Sequence, residues 1–338
     1  MPVSRIESLK DKARSNRKKI ILPEGEDSRI VEAASIVARE KIADVILLGD
    51  KETVEKNAAA KSVKLDGVEV VDPLKHPRFE EFVTKYYERR KAKGISHEDA
   101  RAHLTENFVT VGALMIRFGL ADGFVAGASH PTADVARAAL YCLELDRRVG
   151  VLSSSFVVEL DNCPYGEKGL FIYADCGIIP DPGPNQLAGI AMACGELINV
   201  LFDVEPRVAL LSYSTKGSAK GRSIDKVKAA LDIIKEKDPA LAVDGELQGD
   251  AAVVPEVAAI KCKDSKVAGR ANVLVFPNLD AGNICYKLTQ RLGNARVVGP
   301  LLMGPRRPAS DLSRGCGLEE IIDAVTITAV RAQRNKEM

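Results

Sequence analysis

No Cys-x-x-Cys pair occurs among the seven cysteines of this chain, at 142, 163, 176, 194, 262, 285 and 316. With only four histidines there is also no zinc-like Cys/His spacing, which excludes a structural zinc module. Long apolar runs are missing too, since stretches such as Val45–Leu48 or Val149–Leu152 are far too short to span a bilayer. The charged, helix-compatible opening from Met1 to Lys19 holds no apolar centre of signal-peptide length. An odd number of scattered thiols without a secretion signal reads as a reduced, cytoplasmic protein. Charge of one sign is lacking as well: Lys plus Arg total 48 against 47 for Asp plus Glu. There is no global basic field for nucleic acid, so a few placed cations must hold any anionic ligand.

What is present fits a folded α/β protein. At 338 residues the chain suits two domains, and 46% hydrophobic with 28% charged residues is a globular balance. Short β-branched runs alternate with longer amphipathic ones. Lys19–Leu22 ends at Pro23-Glu-Gly, Ser28–Glu40 follows with helical spacing, and Ala43–Leu48 closes at Gly49, which makes one β-α-β unit. Further strands are predicted at 68–71, 123–127, 150–158, 169–174, 207–212, 273–276 and 296–298. Helices are predicted at 79–93, 99–118, 132–145, 184–202, 224–237, 280–292 and 319–332. This alternation predicts helix-covered sheets. The runs 150–160 and 169–174, joined by a turn-rich loop, read instead as a hairpin and set a domain boundary near 149.

Several segments carry chemistry-bearing residues. Gly127-Ala-Ser-His-Pro-Thr-Ala-Asp134 joins a strand to the helix carrying Arg137. Ser129 or Thr132 would cap that helix and leave its N–H groups facing an anion; an ordinary capped turn is the alternative. Ser212–Gly221 offers hydroxyls, two glycines and two lysines but lacks the P-loop order, so it is either a phosphate wrap or a solvated turn. Asp244-Gly-Glu-Leu-Gln248 with Asp250 suits a divalent metal or, preferably, a structural brace. Asn283 and Lys287 lie four apart on one helical face, although a lone Lys is usually solvated. Asp311-Leu-Ser-Arg-Gly-Cys316, followed by Gly317-Leu-Glu-Glu320, sets a hydroxyl, a guanidinium, N–H donors and carboxylates against a helix start. That set can hold an anion and move a proton. Neither a G-x-S-x-G elbow nor a G-x-G-x-x-G turn is present, so acyl-enzyme and dinucleotide chemistry lack support.

Taken with Leu22-Pro-Glu-Gly-Glu-Asp-Ser-Arg29, Ala174-Asp-Cys-Gly177, Ala281-Gly-Asn-Ile284, Tyr286-Lys287 and Gln290-Arg-Leu292, these phrases resemble the phosphate acetyltransferase family. They stand in family order over essentially the whole chain. The resemblance implies two α/β domains of the isocitrate/isopropylmalate dehydrogenase-like type with an active-site cleft between them. It also implies a C-terminal return to the first domain (1–149 plus 297–338, around 150–296) and a homodimer. The implied reaction is reversible acetyl transfer between coenzyme A and phosphate. Coenzyme A, acetyl-CoA, acetyl phosphate and phosphate are the small-molecule partners, with no tightly bound cofactor, no metal, no nucleic acid and no membrane.

Matched motif to motif, Ser313 would stabilise developing charge and Arg314 would bind phosphate. Glu320, in place of the family's Asp, would take the thiol proton. Arg137 and Arg90 would add substrate contacts, with Arg29 toward the coenzyme A phosphates. Ser129, Thr132, Asn283 and Lys287 fall in matching phrases as substrate contacts, and Cys163 falls near the site as a thiol-reagent target. Glu320 is one methylene longer than Asp, and a misplacement of about 1 Å costs roughly 100-fold. Arg306-Arg307 is more basic than family members commonly are there, and either alters access for anionic ligands or, preferably, is a solvated turn. Butyryl-transferring and regulatory relatives share the resemblance.

Overall fold

The structure, a computed structural model, describes residues 4–334. Its strands are β1 (Lys19–Leu22), β2 (Asp44–Leu48), β3 (Val68–Val71), β4 (Gly123–Ala126), β5 (Ser153–Glu159) and β6 (Leu170–Ala174). They continue with β7 (Val208–Leu211), β8 (Val243–Leu247), β9 (Val273–Val275), β10 (Arg296–Met303) and β11 (Ala309–Asp311). The chain forms two units, one of Ile6–Glu144 and Pro305–Met338, the other of Met1–Arg5 and Leu145–Gly304, each as far as the described residues reach.

In the first unit the strands run in the order β3-β2-β1-β4-β11, all parallel. Helices cover such a sheet on both faces, so its strands are apolar throughout. The inner strands β1, β2 and β4 are buried almost end to end, whereas β3 at the edge is only partly covered. Helix Leu318–Ala332 buries eleven of its residues and packs along β4 and β11. It anchors both ends of the Asp311–Gly317 segment.

The second unit has the order β10-β5-β6-β9-β7-β8. The expected hairpin is there: β5 pairs antiparallel with β6, while β6, β9, β7 and β8 are parallel neighbours. Its helix Pro184–Phe202 is long and apolar enough to cross a membrane by composition, yet twelve of its residues are buried inside the unit. It is a core helix.

Three local differences from the sequence reading have physical causes. The helix expected over 99–118 is two, His97–Glu106 and Phe108–Arg117. Asn107 leaves helical geometry between them, and its side chain accepts the Thr110 N–H at 2.8 Å. The strand expected over 296–298 extends to Met303 because β10 pairs with β5 through Met303↔Ser153. Residues 297–303 therefore stay with the second unit, and the chain passes between units at 144 and 304 where 149 and 296 were expected. β8 and β11 were not anticipated; Val-Asp-Gly-Glu-Leu and Ala-Ser-Asp are too polar and short to show a strand period.

Candidate active site

Parallel neighbours β1, β4 and β11 end on the same side of their sheet, with Asp311 in register with Ala126. Three loops therefore meet there, as ligand-binding loops commonly do at the carboxyl ends of parallel strands. Glu24, directly after β1, is fully buried in the loop after β4. Its carboxylate accepts the N–H groups of Gly127, Ala128, Ser129 and His130 at 2.9–3.0 Å. His130 Nδ1 adds a 2.8 Å contact. Burial alone would raise the Glu24 pKa, but the His130 hydrogen bond and the loop amides overcome it and hold it low. Hydrogen bonding to Glu24 raises the His130 pKa in turn.

The amides of Gly127 to His130, ahead of the helix, face no external anion, because a carboxylate of the same chain occupies them. Ser129 Oγ donates to Glu26 (2.8 Å) or Glu24 (3.0 Å), and Thr132 Oγ1 donates to Asp311 Oδ2 at 2.5 Å. Neither side chain caps the helix Thr132–Cys142, whose N-cap is Pro131.

Arg29 is also reassigned. Its Nε and Nη2 grip Asp27 at 3.0 and 2.6 Å, Nη1 reaches the carbonyls of Arg314 and Cys316 at 2.9 Å, and Nη2 reaches that of Ala128 at 2.9 Å. A guanidinium has five N–H donors, and these contacts use all five. Arg29 is a staple across the three loops, with no donor left for a coenzyme A phosphate. Arg90 likewise stacks on the Tyr141 ring at 3.7 Å with Nε buried, which ties helix Phe79–Arg90 to helix Thr132–Cys142.

Arg314 differs. Its backbone is pinned by Arg29, but its side chain is exposed and has no ion pair or hydrogen bond among the described residues. Ser313 beside it is exposed too, its Oγ accepting the Gly315 N–H at 3.3 Å. Arg137 is exposed and pairs with Asp134 at 2.5 Å. Glu320 Oε2 accepts the Gly317 N–H at 2.7 Å, so the expected base also caps the start of the helix. Cys316 is buried, and burial pushes its thiol up to about 11.

Asp311 is the second residue that the sequence did not single out. It is fully buried, and Oδ1 has no hydrogen-bond partner among the described residues. A Cβ on Gly127, where φ is +113°, would lie 2.3 Å from that oxygen, so only glycine fits. Burial pushes the Asp311 carboxyl up to about 7.

The other expected residues lie in the second unit. Asn283 Nδ2 donates to the Cys176 carbonyl at 3.0 Å, Lys287 is exposed beside the Tyr286 ring, and Cys163 packs against the apolar core. The Ser212–Gly221 loop folds around buried Glu246, which accepts the Gly217 N–H at 2.7 Å and the Ser214 hydroxyl at 3.0 Å. It is neither a flexible turn nor an open phosphate wrap. Among the described residues no His, Cys, Asp or Glu cluster is arranged for a metal ion.

An exposed hydroxyl–guanidinium pair on a stapled turn supplies positioning and charge neutralisation. Those are the needs of α/β enzymes that transfer an already activated group. The profile of the family described as phosphate acetyl/butaryl transferase matches residues 4–329, and the chain belongs to that family of acyltransferase enzymes. A phosphate acetyltransferase of Thermoanaerobacterium thermosaccharolyticum is 46% identical over 331 residues, covering 98% of this chain and 100% of that protein. The crystal structure of a phosphotransacetylase from Streptococcus pyogenes shares 39% identity at a TM-score of 0.91, over 98% of this chain and 99% of that one. A 4-hydroxythreonine-4-phosphate dehydrogenase from Klebsiella pneumoniae shares the fold at 10% identity and a TM-score of 0.55, over 93% and 99% of the two chains.

Proposed function

We propose that this chain is a phosphate acetyltransferase, moving an acetyl group reversibly between coenzyme A and inorganic phosphate by direct attack in a ternary complex. The observation that carries the mechanism is Arg314: of the arginines gathered at the three loops it alone is unpaired, on a turn held by Arg29. Its planar fork matches a phosphoryl group. Thioester and acyl phosphate are both activated, so no protein nucleophile is needed, and the raised Cys316 pKa disfavours a thiolate there. Ser313 faces the charge that develops on the carbonyl oxygen, and Arg137 adds positive charge from the neighbouring helix.

Mixing the protein with acetyl phosphate and coenzyme A should raise thioester absorbance; a folded preparation that raises none defeats the reading. Ser313→Ala should lower kcat by about 10²–10³, as loss of one charge-stabilising donor does. Cys163→Ala should keep most of the rate. Acetyl, propionyl and butyryl donors tested side by side would fix the acyl preference.

The working form is proposed to be a homodimer. On helix Leu279–Leu292 the side chains Ile284, Leu288 and Leu292 are 57%, 52% and 82% exposed and spaced four apart, an apolar stripe that a second copy would cover. Leu288→Glu should halve the mass in sedimentation at equal concentration. An unchanged mass, or a monomeric parent, removes this surface from consideration. Seven free cysteines suit a reducing, cytoplasmic setting.

A further inference from the structure

We propose that Arg117, Arg306 and Arg307 form a second anion site, built for the phosphoryl group of a small molecule and separate from the Ser313–Arg314 turn. Together with Ile116, Leu143 and Glu144 they line a recess of about 100 Å³ in the first unit. Asp122 directly precedes β4, and Arg307 stands two residues before β11. The recess therefore lies toward the amino ends of these parallel strands. Ser313 and Arg314 follow the carboxyl end of β11, at the opposite edge of the sheet. A ligand in the recess is not the phosphate assigned to Arg314.

A guanidinium carries five N–H donors, and these three leave most of theirs unused. Arg117, the last residue of helix Phe108–Arg117, gives Nη2 to Glu144 at 3.0 Å and Nη1 to the Cys142 carbonyl at 3.4 Å. Arg306 stands 3.8 Å from Glu144, and Arg307 stands 3.9 Å from Asp122. Both pairs are too long for hydrogen bonds, and neither side chain makes one among the described residues. Arg306 is half exposed, as a solvated turn would have it, but the Arg307 side chain is only 24% exposed. A guanidinium so covered and so poorly paired is costly unless an acceptor comes to it.

Charge and size select the ligand. Three cations meet two carboxylates, Glu144 and Asp122, and the second of these also accepts the Lys19 N–H at 2.9 Å. The cluster keeps a net positive charge even when both acids are counted. Planar forks match the oxygens of a phosphoryl group, and a dianion outbids the single charge of Glu144. Glu144 is 47% exposed, so its side chain can turn out to solvent as the ligand enters. The recess has the volume of about three waters, enough for one such group and little more. Buried Ile116 and Leu143 give it an apolar lining, where charge-assisted bonds gain strength.

The test is equilibrium dialysis with radiolabelled inorganic phosphate at fixed ionic strength. Arg314→Ala, which removes the phosphate contact assigned to catalysis, should still hold one phosphate per chain. Adding Arg306→Ala and Arg307→Ala should weaken that binding about ten- to a hundredfold. The same two changes in the parent should leave kcat for thioester formation as it was. Glu144→Gln should tighten phosphate binding by up to about fivefold, because it removes the competing anion. That variant decides the matter if the arginine variants do not fold. Methyl phosphate as competitor separates the sources: displacement extends the site to phosphate esters, and no displacement reserves it for the free ion. Loss of all bound phosphate in Arg314→Ala, or binding no tighter than that of chloride, overturns the site. So does an Arg306/Arg307 variant that melts lower yet binds phosphate as before, the behaviour of a structural brace. Each of these leaves the transferase reading standing, whereas a folded parent that forms no thioester defeats that reading and leaves the dialysis result untouched.

Discussion

Arg314→Ala should lower kcat/KM for phosphate and for acetyl phosphate by about 10²–10³ while the protein stays folded. The side chain is exposed and makes no contact whose loss would loosen the fold, so truncating it leaves no buried group unpaired. What disappears is a charge-assisted, bidentate donor for the phosphoryl group. Arg314→Lys should recover only part of the rate, because an ammonium supplies the charge without the fork. Arg29→Ala should look different. It would free the carbonyls of Ala128, Arg314 and Cys316 and leave Asp27 unpaired, so thermal stability should fall together with activity. Steady-state kinetics with phosphate as the varied substrate, run beside a melting curve, separates the two arginines. If Arg314→Ala changes the rate no more than Arg148→Ala, an exposed arginine of the second unit, Arg314 does not bind phosphate.

The contrast between these arginines shows what a sequence can and cannot carry. Lys19–Leu22 with its following helix, the β5–β6 hairpin and the long amphipathic helices were legible because period and turn residues are local signals. Ser313 and Arg314 were picked out as candidates from a Gly-containing polar segment against a helix start, and both side chains are exposed. The engagement of Arg29 was not: its partners lie up to 287 positions away, and no spacing rule distinguishes a guanidinium with five internal acceptors from one with none. Glu24 and Glu246 were hidden for the same reason, each filling a Gly- and Ser-containing loop that reads as an anion cradle. A carboxylate directly after a strand, as in Pro23-Glu24-Gly25, is the one signal that could have raised the question. The capping role of Glu320 was not read from the sequence, because Gly317, three residues before it, lacks the hydroxyl that marks a capping box.

Glu24→Ala should be the most destabilising single change in the first unit. It orphans the N–H groups of Gly127, Ala128, Ser129 and His130 at once and strips His130 of its partner. Breaking a buried, hydrogen-bonded ion pair from one side costs about 3–5 kcal/mol. For a unit of this size that is a fall in Tm of roughly 6–20 °C. Glu24→Gln should not rescue it, since both carboxylate oxygens accept loop amides and an amide nitrogen would set donor against donor. The pH dependence follows from the two shifts. Glu24 titrates below its ordinary 4.5, so its contribution is present above that value and is lost as pH falls through the lowered one. His130 titrates above its ordinary 6.5, so the charged pair's contribution is complete below 6.5 and is lost as pH rises through the raised value. The gap in Tm between parent and Glu24→Ala should therefore be widest between pH 4.5 and 6.5 and narrow on both sides. A gap that does not narrow as pH rises through the raised His130 value would mean that the amide cage, and not the Glu24–His130 charge pair, accounts for the whole effect.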